Sequence, residues 1–132
     1  MNIKITMPGG KKVNAEFNGF TVHTDQPIRA GGENTAPSPY DTFLASLGTC
    51  AGIYIVGFCE SRGISHEGIE IDQTLEYDRV NKRASKITLD IKVPIDFPEK
   101  YKEALINTAN LCAVKKLIED PPVFETICTD KV

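Results

Sequence analysis

Four cysteines, Cys50, Cys59, Cys112 and Cys128, are the residues of this 132-residue chain with most scope for chemistry. A cysteine acts through its thiolate, so each must be judged by what surrounds it. No C-x-x-C motif or Cys/His cluster occurs, so the spacing predicts no structural zinc and no other metal. Cys50 lies in an apolar and small-residue run from Phe43 to Phe58. Cys59 follows nine residues later, which on a helix is about 900°, half a turn away in azimuth. The two thiols cannot face one site. Cys59 reads as core packing, the commonest state of a free cysteine, and Cys128 takes the same reading. Asn110 is the expected cap of a fresh helix beginning near Cys112, so a helix break is expected there, and its unpaired N–H groups would favour a Cys112 thiolate. Cys50, in mid-helix, needs a cation or acceptor brought from elsewhere. Spacing alone leaves two readings open: a reactive Cys50–Cys112 pair, or two core thiols. His23 and His66 stand in no spacing relation to Cys50 that resembles a Cys–His nucleophile. Gly31-Gly32 carries none of the further residues of a phosphate loop.

The element that must position Cys50 is a helix. Ser38, Pro39 and Asp41 form a start signal: a serine oxygen to accept an orphan N–H, a proline at the first helical position, and a carboxylate at the positive end. The helix is expected to run to Gly63, on the order of 37 Å. Apolar or small residues surround it on all sides from Ala45 to Phe58, the pattern of a helix buried in a core. Its length also permits a membrane span, but three glycines, a serine and a threonine dilute its hydropathy, and the core reading is preferred. Ala45, Gly48 and Gly52 make a small-residue stripe against which another helix could pack closely, a second copy of this one included.

Around that helix the periodicity changes. Ile3, Ile5 and Met7 alternate with polar residues, Pro8-Gly9-Gly10-Lys11 turns the chain, and Val13, Ala15 and Phe17 alternate again. Asn18-Gly19 is a hairpin signal leading to Phe20 and Val22. Residues 25–37 are rich in turn formers and lack periodicity, either a crossover or a functional loop. After the helix, Ile69, Ile71, Leu75 and Tyr77, then Ile87, Leu89, Ile91 and Val93, predict a second hairpin with one buried face. Asp96 and Glu99 flank Pro98 as a cap, and Tyr101, Leu105, Thr108 and Cys112 fall at helical spacing. Pro121-Pro122 ends the helical region, and a closing strand is expected over 123–128. The order βββ-α-ββ-αα-β is an α+β arrangement in one domain, residues 1–132. A net charge of −3 without a long basic run argues against a nucleic-acid partner. The N-terminus opens into a strand pattern with no signal segment, so a cytoplasmic location and reduced thiols are expected.

Thr35-Ala-Pro-Ser-Pro-Tyr-Asp-Thr-Phe-Leu-Ala-Ser-Leu-Gly-Thr-Cys50, with Asn110-Leu-Cys112-Ala-Val-Lys-Lys-Leu-Ile118 downstream, resembles the OsmC/Ohr family of thiol peroxidases, most closely its YhfA-like branch. The resemblance implies an intertwined homodimer around the long central helices, with two sites at the subunit interface and no bound cofactor. It implies that Cys50 attacks a small hydrophobic or lipid hydroperoxide, in oxidative-stress defence. Cys112 then closes a disulfide, which an external dithiol such as a lipoyl group reduces. The family places a glutamate where this chain has Tyr40. Its arginine in the first hairpin turn aligns with Lys11, while Arg29 and Lys12 are the other candidate cations. Two further functions stand beside the peroxidase: a non-catalytic domain binding a small apolar ligand at the dimer interface, and a redox-sensing interaction protein.

Overall fold

The computed structural model describes residues 1–131. The chain forms two compact units, Met1–Ser46 and Leu47–Val132. In the first, β1 (Lys4–Gly9), β2 (Lys12–Phe17) and β3 (Phe20–Thr24) form an antiparallel meander in the order β1-β2-β3. Asn18 and Gly19, with φ of +50° and +79°, supply the two positive angles a type I′ turn requires. Phe17 and Phe20 pair directly across it.

The 25–37 loop is more ordered than its composition predicts. Asp25 is only 1% exposed. Its Oδ1 accepts the Gln26 N–H at 2.8 Å, and its Oδ2 accepts the Thr35 N–H at 3.0 Å and the Thr35 hydroxyl at 2.7 Å. Donation from the Thr35 backbone and hydroxyl, then from Gln26, holds the carboxyl down at about 2, because hydrogen bonds to an ionised carboxylate favour that form. The Asp25 N–H also donates to the Pro37 carbonyl at 3.2 Å, which closes the loop at its base. A Cβ on Gly32 would lie 2.0 Å from the Gln26 carbonyl oxygen, so the fold admits only glycine there.

Helix α1 (Pro39–Ser61) starts in the first unit and continues through the second. The Ser38 hydroxyl accepts the Asp41 N–H at 3.1 Å, as the start signal predicts. Burial differs from expectation. Leu47, Ala51, Ile55, Phe58 and Cys59 form one buried stripe, whereas Ile53 is 63% exposed. Within the single chain the helix is covered along one side. The small-residue stripe also has a different neighbour. A Cβ on Gly48 would meet the Gln73 Oε1 at 2.8 Å, and one on Gly52 would meet the Ile71 Cδ1 at 4.0 Å. Within this chain the missing side chains at Gly48 and Gly52 make room for the Gln73 and Ile71 side chains of the second hairpin. By length and composition α1 could cross a membrane, but core helices share those properties, and its buried stripe packs in the core.

That core contains Ala51, Ile55, Phe58, Cys59, Phe97, Leu105 and Ala109, with Ile71, Leu89, Ile91 and Val93 packed against it. Strands β4 (Glu70–Asp78) and β5 (Arg83–Lys92) form the second hairpin. Ile71 pairs with Ile91, Gln73 with Leu89 and Leu75 with Ile87, and a bulge between Glu76 and Tyr77 shifts the register near the turn. A 3-10 turn (Glu99–Tyr101) leads into α2 (Lys102–Ala109). No side chain caps that turn, so the expected Asp96–Glu99 cap does not form, and the Phe97 and Tyr101 N–H groups donate to the Pro94 and Pro98 carbonyls instead. Helix α3 (Ala113–Glu119) follows a break. Residues 123–128 form no strand: among the described residues no ladder partner within the chain pairs with them, and Val123, Phe124 and Ile127 are exposed.

Candidate active site

Cys50 is carried by the half-buried flank of α1. It lies one turn after Leu47, and residues three apart on a helix are surface neighbours. Cys59 is fully buried, and that burial pushes its thiol up, with the Arg62 charge opposing. The Arg62 guanidinium itself stacks 3.8 Å from the centre of the Phe58 ring. The packing role expected of Cys59 is the one observed. Cys128 is exposed, contrary to its expected packing, because the segment that carries it is unpaired within the chain.

Cys112 sits where the sequence places a helix break, but as the N-cap itself. Asn110, the expected cap, instead ends α2. Asn110 has helical φ and ψ of −70° and −11°, whereas Cys112 is extended at −56° and 140°, the geometry an N-cap needs. Its Sγ accepts the Lys115 N–H at 3.4 Å. The residue is 1% exposed and lines a cavity of about 290 Å³ with Leu47, Leu89, Ile118 and Lys115. The Lys115 ammonium donates to the Asn110 Oδ1 at 2.9 Å and stands 3.8 Å from the Glu119 carboxylate. Cys50 does not line this cavity, but Leu47, its neighbour along the helix, forms part of its wall. An apolar chamber with a thiol on its wall, beside the turn that carries a second thiol, is suited to thiol chemistry on a compact apolar molecule. No sequence signal reveals the cavity, because Leu47, Leu89 and Ile118 come from three separate elements.

The candidate cations all belong to the first unit. Lys12 is already paired with Glu33 at 3.0 Å. Lys11 and Arg29 are exposed, Lys11 beside Gly31 and Arg29 on the 3-10 turn Ile28–Ala30. Tyr40, in the first turn of α1, is 58% exposed.

A family model for OsmC-like proteins matches residues 32–127. The chain belongs to the OsmC-like family. The matched span includes both Cys50 and Cys112. Solved structures carry the likeness over most of the chain. A Psychrobacter arcticus protein named for osmotic stress induction and a detoxification response shares 24% identity at a TM-score of 0.75, covering 88% of this chain and 86% of that one. The organic hydroperoxide resistance protein OhrB of Bacillus subtilis shares 21% identity at a TM-score of 0.56, covering 92% and 93%. A Vibrio cholerae protein named for organic hydroperoxide resistance, solved with captopril in one of its active sites, shares 14% identity at a TM-score of 0.57, covering 92% and 86%. At these identities the neighbours establish a common α+β, OsmC-like fold. Among curated proteins nothing matches.

Proposed function

We propose that this OsmC-like protein is a thiol-dependent peroxidase that reduces organic and lipid hydroperoxides through Cys50 and Cys112. The observation that carries the reading is the Leu47 wall: Leu47 lines the same apolar cavity as the buried Cys112, and Cys50 lies one helical turn from Leu47. In the proposed cycle the Cys50 thiolate attacks the terminal oxygen of the hydroperoxide. The O–O bond breaks, the alkoxide takes up a proton and leaves as the alcohol, and Cys50 becomes a sulfenic acid. The Cys112 sulfur displaces water from it to form a disulfide, and an external dithiol returns both sulfurs to thiols. The names of the Bacillus and Vibrio neighbours support this substrate class. A cytoplasmic setting, where thiols rest reduced, suits the cycle.

The proposed working unit is a homodimer. Exposed Ile53 on α1, Met7 on β1, and Val123 and Phe124 in the unpaired tail are apolar surface that a second copy would remove from water. Lys11 or Arg29 is proposed as the cation that holds the Cys50 thiolate, because Lys12 is engaged by Glu33. Lysine there would act as a point charge without the bidentate fork of arginine. Replacing the effective cation by methionine is expected to slow Cys50 alkylation near neutral pH. If neither Lys11→Met nor Arg29→Met does so, the cation lies elsewhere.

The deciding experiment measures consumption of cumene hydroperoxide with dihydrolipoamide as reductant, alongside dimedone trapping. Turnover with a dimedone adduct on Cys50 in Cys112→Ser is expected. A protein that binds apolar probes yet gives no adduct and no turnover would instead be the ligand-binding form of the fold. Disulfide formation without turnover would make it a redox sensor.

A further inference from the structure

The second hairpin ends in a basic tip that thiol chemistry does not use. Arg79, Lys82, Arg83 and Lys86 are four of the chain's 15 lysines and arginines, gathered in residues 79–86. All four are exposed, and among the described residues none of them has an ion-pair partner. Crowded like charges repel one another. Apolar groups share the tip: Val80 is 89% exposed at the turn, and Tyr77 is 61% exposed beside it.

The turn holds these groups in a fixed arrangement. Asp78 Oδ1 accepts the Val80 and Asn81 N–H groups at 2.9 and 3.1 Å, and its Oδ2 accepts the Asn81 side-chain amide at 2.6 Å. That carboxylate is committed to the turn. Glu76, opposite Lys86 in the strand register, is the other acid of the tip. Residues 76–86 therefore hold four cations against two carboxylates, in a chain whose net charge is −3. The acids at the far end of the hairpin, Asp72 and Asp90, pair in register six residues before the Asp78–Arg83 pair, and Lys92 engages Asp72. Six residues at about 3.3 Å each are about 20 Å. Salt screens charge over about 10 Å at 0.1 M, so an anionic surface touching the tip meets its cations and is shielded from those acids.

We propose that the tip of the second hairpin docks this protein on anionic lipid surfaces, with Arg79, Lys82, Arg83 and Lys86 meeting lipid phosphates and Val80 and Tyr77 entering the headgroup layer. A carboxylate-rich protein would attract the same cations. The exposed apolar groups between them fit a bilayer interface better, because tyrosine rings and apolar side chains leave water there while the cations stay at the phosphates. The contact is with a membrane surface and does not span it, so α1 keeps its place in the core. Docking needs neither peroxide nor cysteine and goes beyond the peroxidase reading. Where both hold, it brings the site to the lipid hydroperoxides that the protein is proposed to reduce.

The test is cosedimentation of the full-length reduced protein, at 0.1 M salt, with vesicles of one part phosphatidylglycerol to two parts phosphatidylcholine, and with phosphatidylcholine vesicles alone. Binding is expected to the first and not to the second. Each lysine or arginine near an anionic surface is worth about fivefold in partitioning. Arg79→Ala with Arg83→Ala should therefore weaken binding about 25-fold, and Val80→Ser about threefold or more through lost apolar burial. Lys4→Ala with Lys116→Ala, which removes the same charge from β1 and α3, should change it less than about twofold, and circular dichroism of every variant should match wild type. No binding to the anionic vesicles, equal binding to both kinds, or equal loss in the two double variants overturns the proposal. Polyglutamate binding as tightly as the vesicles, with Val80→Ser binding them like wild type, would make the tip a site for an acidic protein and overturn it too. Hydroperoxide consumption, measured on soluble cumene hydroperoxide, should be the same in all these variants, so failure of docking is distinguishable from failure of the peroxidase reading.

Discussion

Oxidation of this protein should make it harder to unfold, by an amount that follows from where the two thiols lie. The proposed Cys50–Cys112 disulfide would close a loop of about 62 residues, and cross-linking a loop of that length removes about 4 kcal/mol of chain entropy from the unfolded state. Against this stands the N-cap of α3. The reduced Cys112 Sγ accepts the Lys115 N–H at 3.4 Å, and drawing that sulfur into a bond with Cys50 forfeits a cap worth about 1 kcal/mol. The net gain is about 3 kcal/mol, which for a urea dependence of about 1–3 kcal/mol per molar displaces the unfolding midpoint upward by about 1–3 M. The assay compares urea unfolding after stoichiometric hydroperoxide with unfolding in excess reductant, followed by circular dichroism, with the bond assigned by peptide mapping. Cys50→Ser should give one midpoint under both conditions. A midpoint that stays in place, or falls, while mapping shows the Cys50–Cys112 bond would mean that the bond strains the folded state by several kcal/mol, and the claim that the Cys112 cap can be withdrawn at modest cost would fail. A midpoint that rises equally in Cys50→Ser would place the stabilisation in another pair of thiols.

Asp25→Asn should loosen the 25–37 loop at neutral pH, seen as faster amide exchange at Thr35. The Asp25 carboxyl is held at about 2 in the folded protein against about 3.9 in an unfolded chain, so its contribution is complete above the unfolded value and fades as pH falls from about 4 toward 2. The difference between wild type and Asp25→Asn should therefore narrow over that window, and a constant difference would assign the effect to something other than ionisation. Leu105, 2% exposed in the core with Phe58 and Phe97, should cost about 2–5 kcal/mol when cut to alanine. A denaturation midpoint within error of wild type would remove it from the core. Lys12→Met should cost no more than about 1 kcal/mol, because its partner Glu33 is largely solvated.

Local signals were legible wherever one short-range interaction decides the outcome. The Asn18-Gly19 turn, the Ser38 cap and the break before α3 each depend on a few adjacent residues, and each appears where the residues indicate. Propensity places the α3 cap at Asn110, two residues before Cys112, because it is the better N-cap residue, yet the C-terminus of α2 takes Asn110 in a helical conformation. The small stripe on α1 marks a place of close approach, but sequence spacing gives no information on which part of the same chain approaches. Gln73 and Ile71 of β4 are the neighbours, brought there by a register that only the folded hairpin defines. Asp25 was hidden for a similar reason: its main partner, Thr35, lies ten residues away across an aperiodic loop.

The site itself follows from a division of labour along α1. Leu47, Ala51, Ile55, Phe58 and Cys59 fall on the side that packs against the second hairpin and α2, so Cys59 is committed to the core and its thiol is pushed up by burial. Cys50 stands on the flank of that stripe, one position before Ala51 and three after Leu47, half-buried and held in place by the helix. The position proposed for the resolving thiol is built in the opposite way. Cys112 lies at a break between two short helices, buried, with its sulfur serving as a cap that can be withdrawn at modest cost. Attack by a resolving thiol on a sulfenic acid needs one partner to move, and a capping residue between α2 and α3 can move with less disruption than a residue inside a 23-residue helix. The roles proposed for the two cysteines therefore follow from rigidity as well as from position: the fixed thiol meets the substrate, and the thiol at the break comes to it.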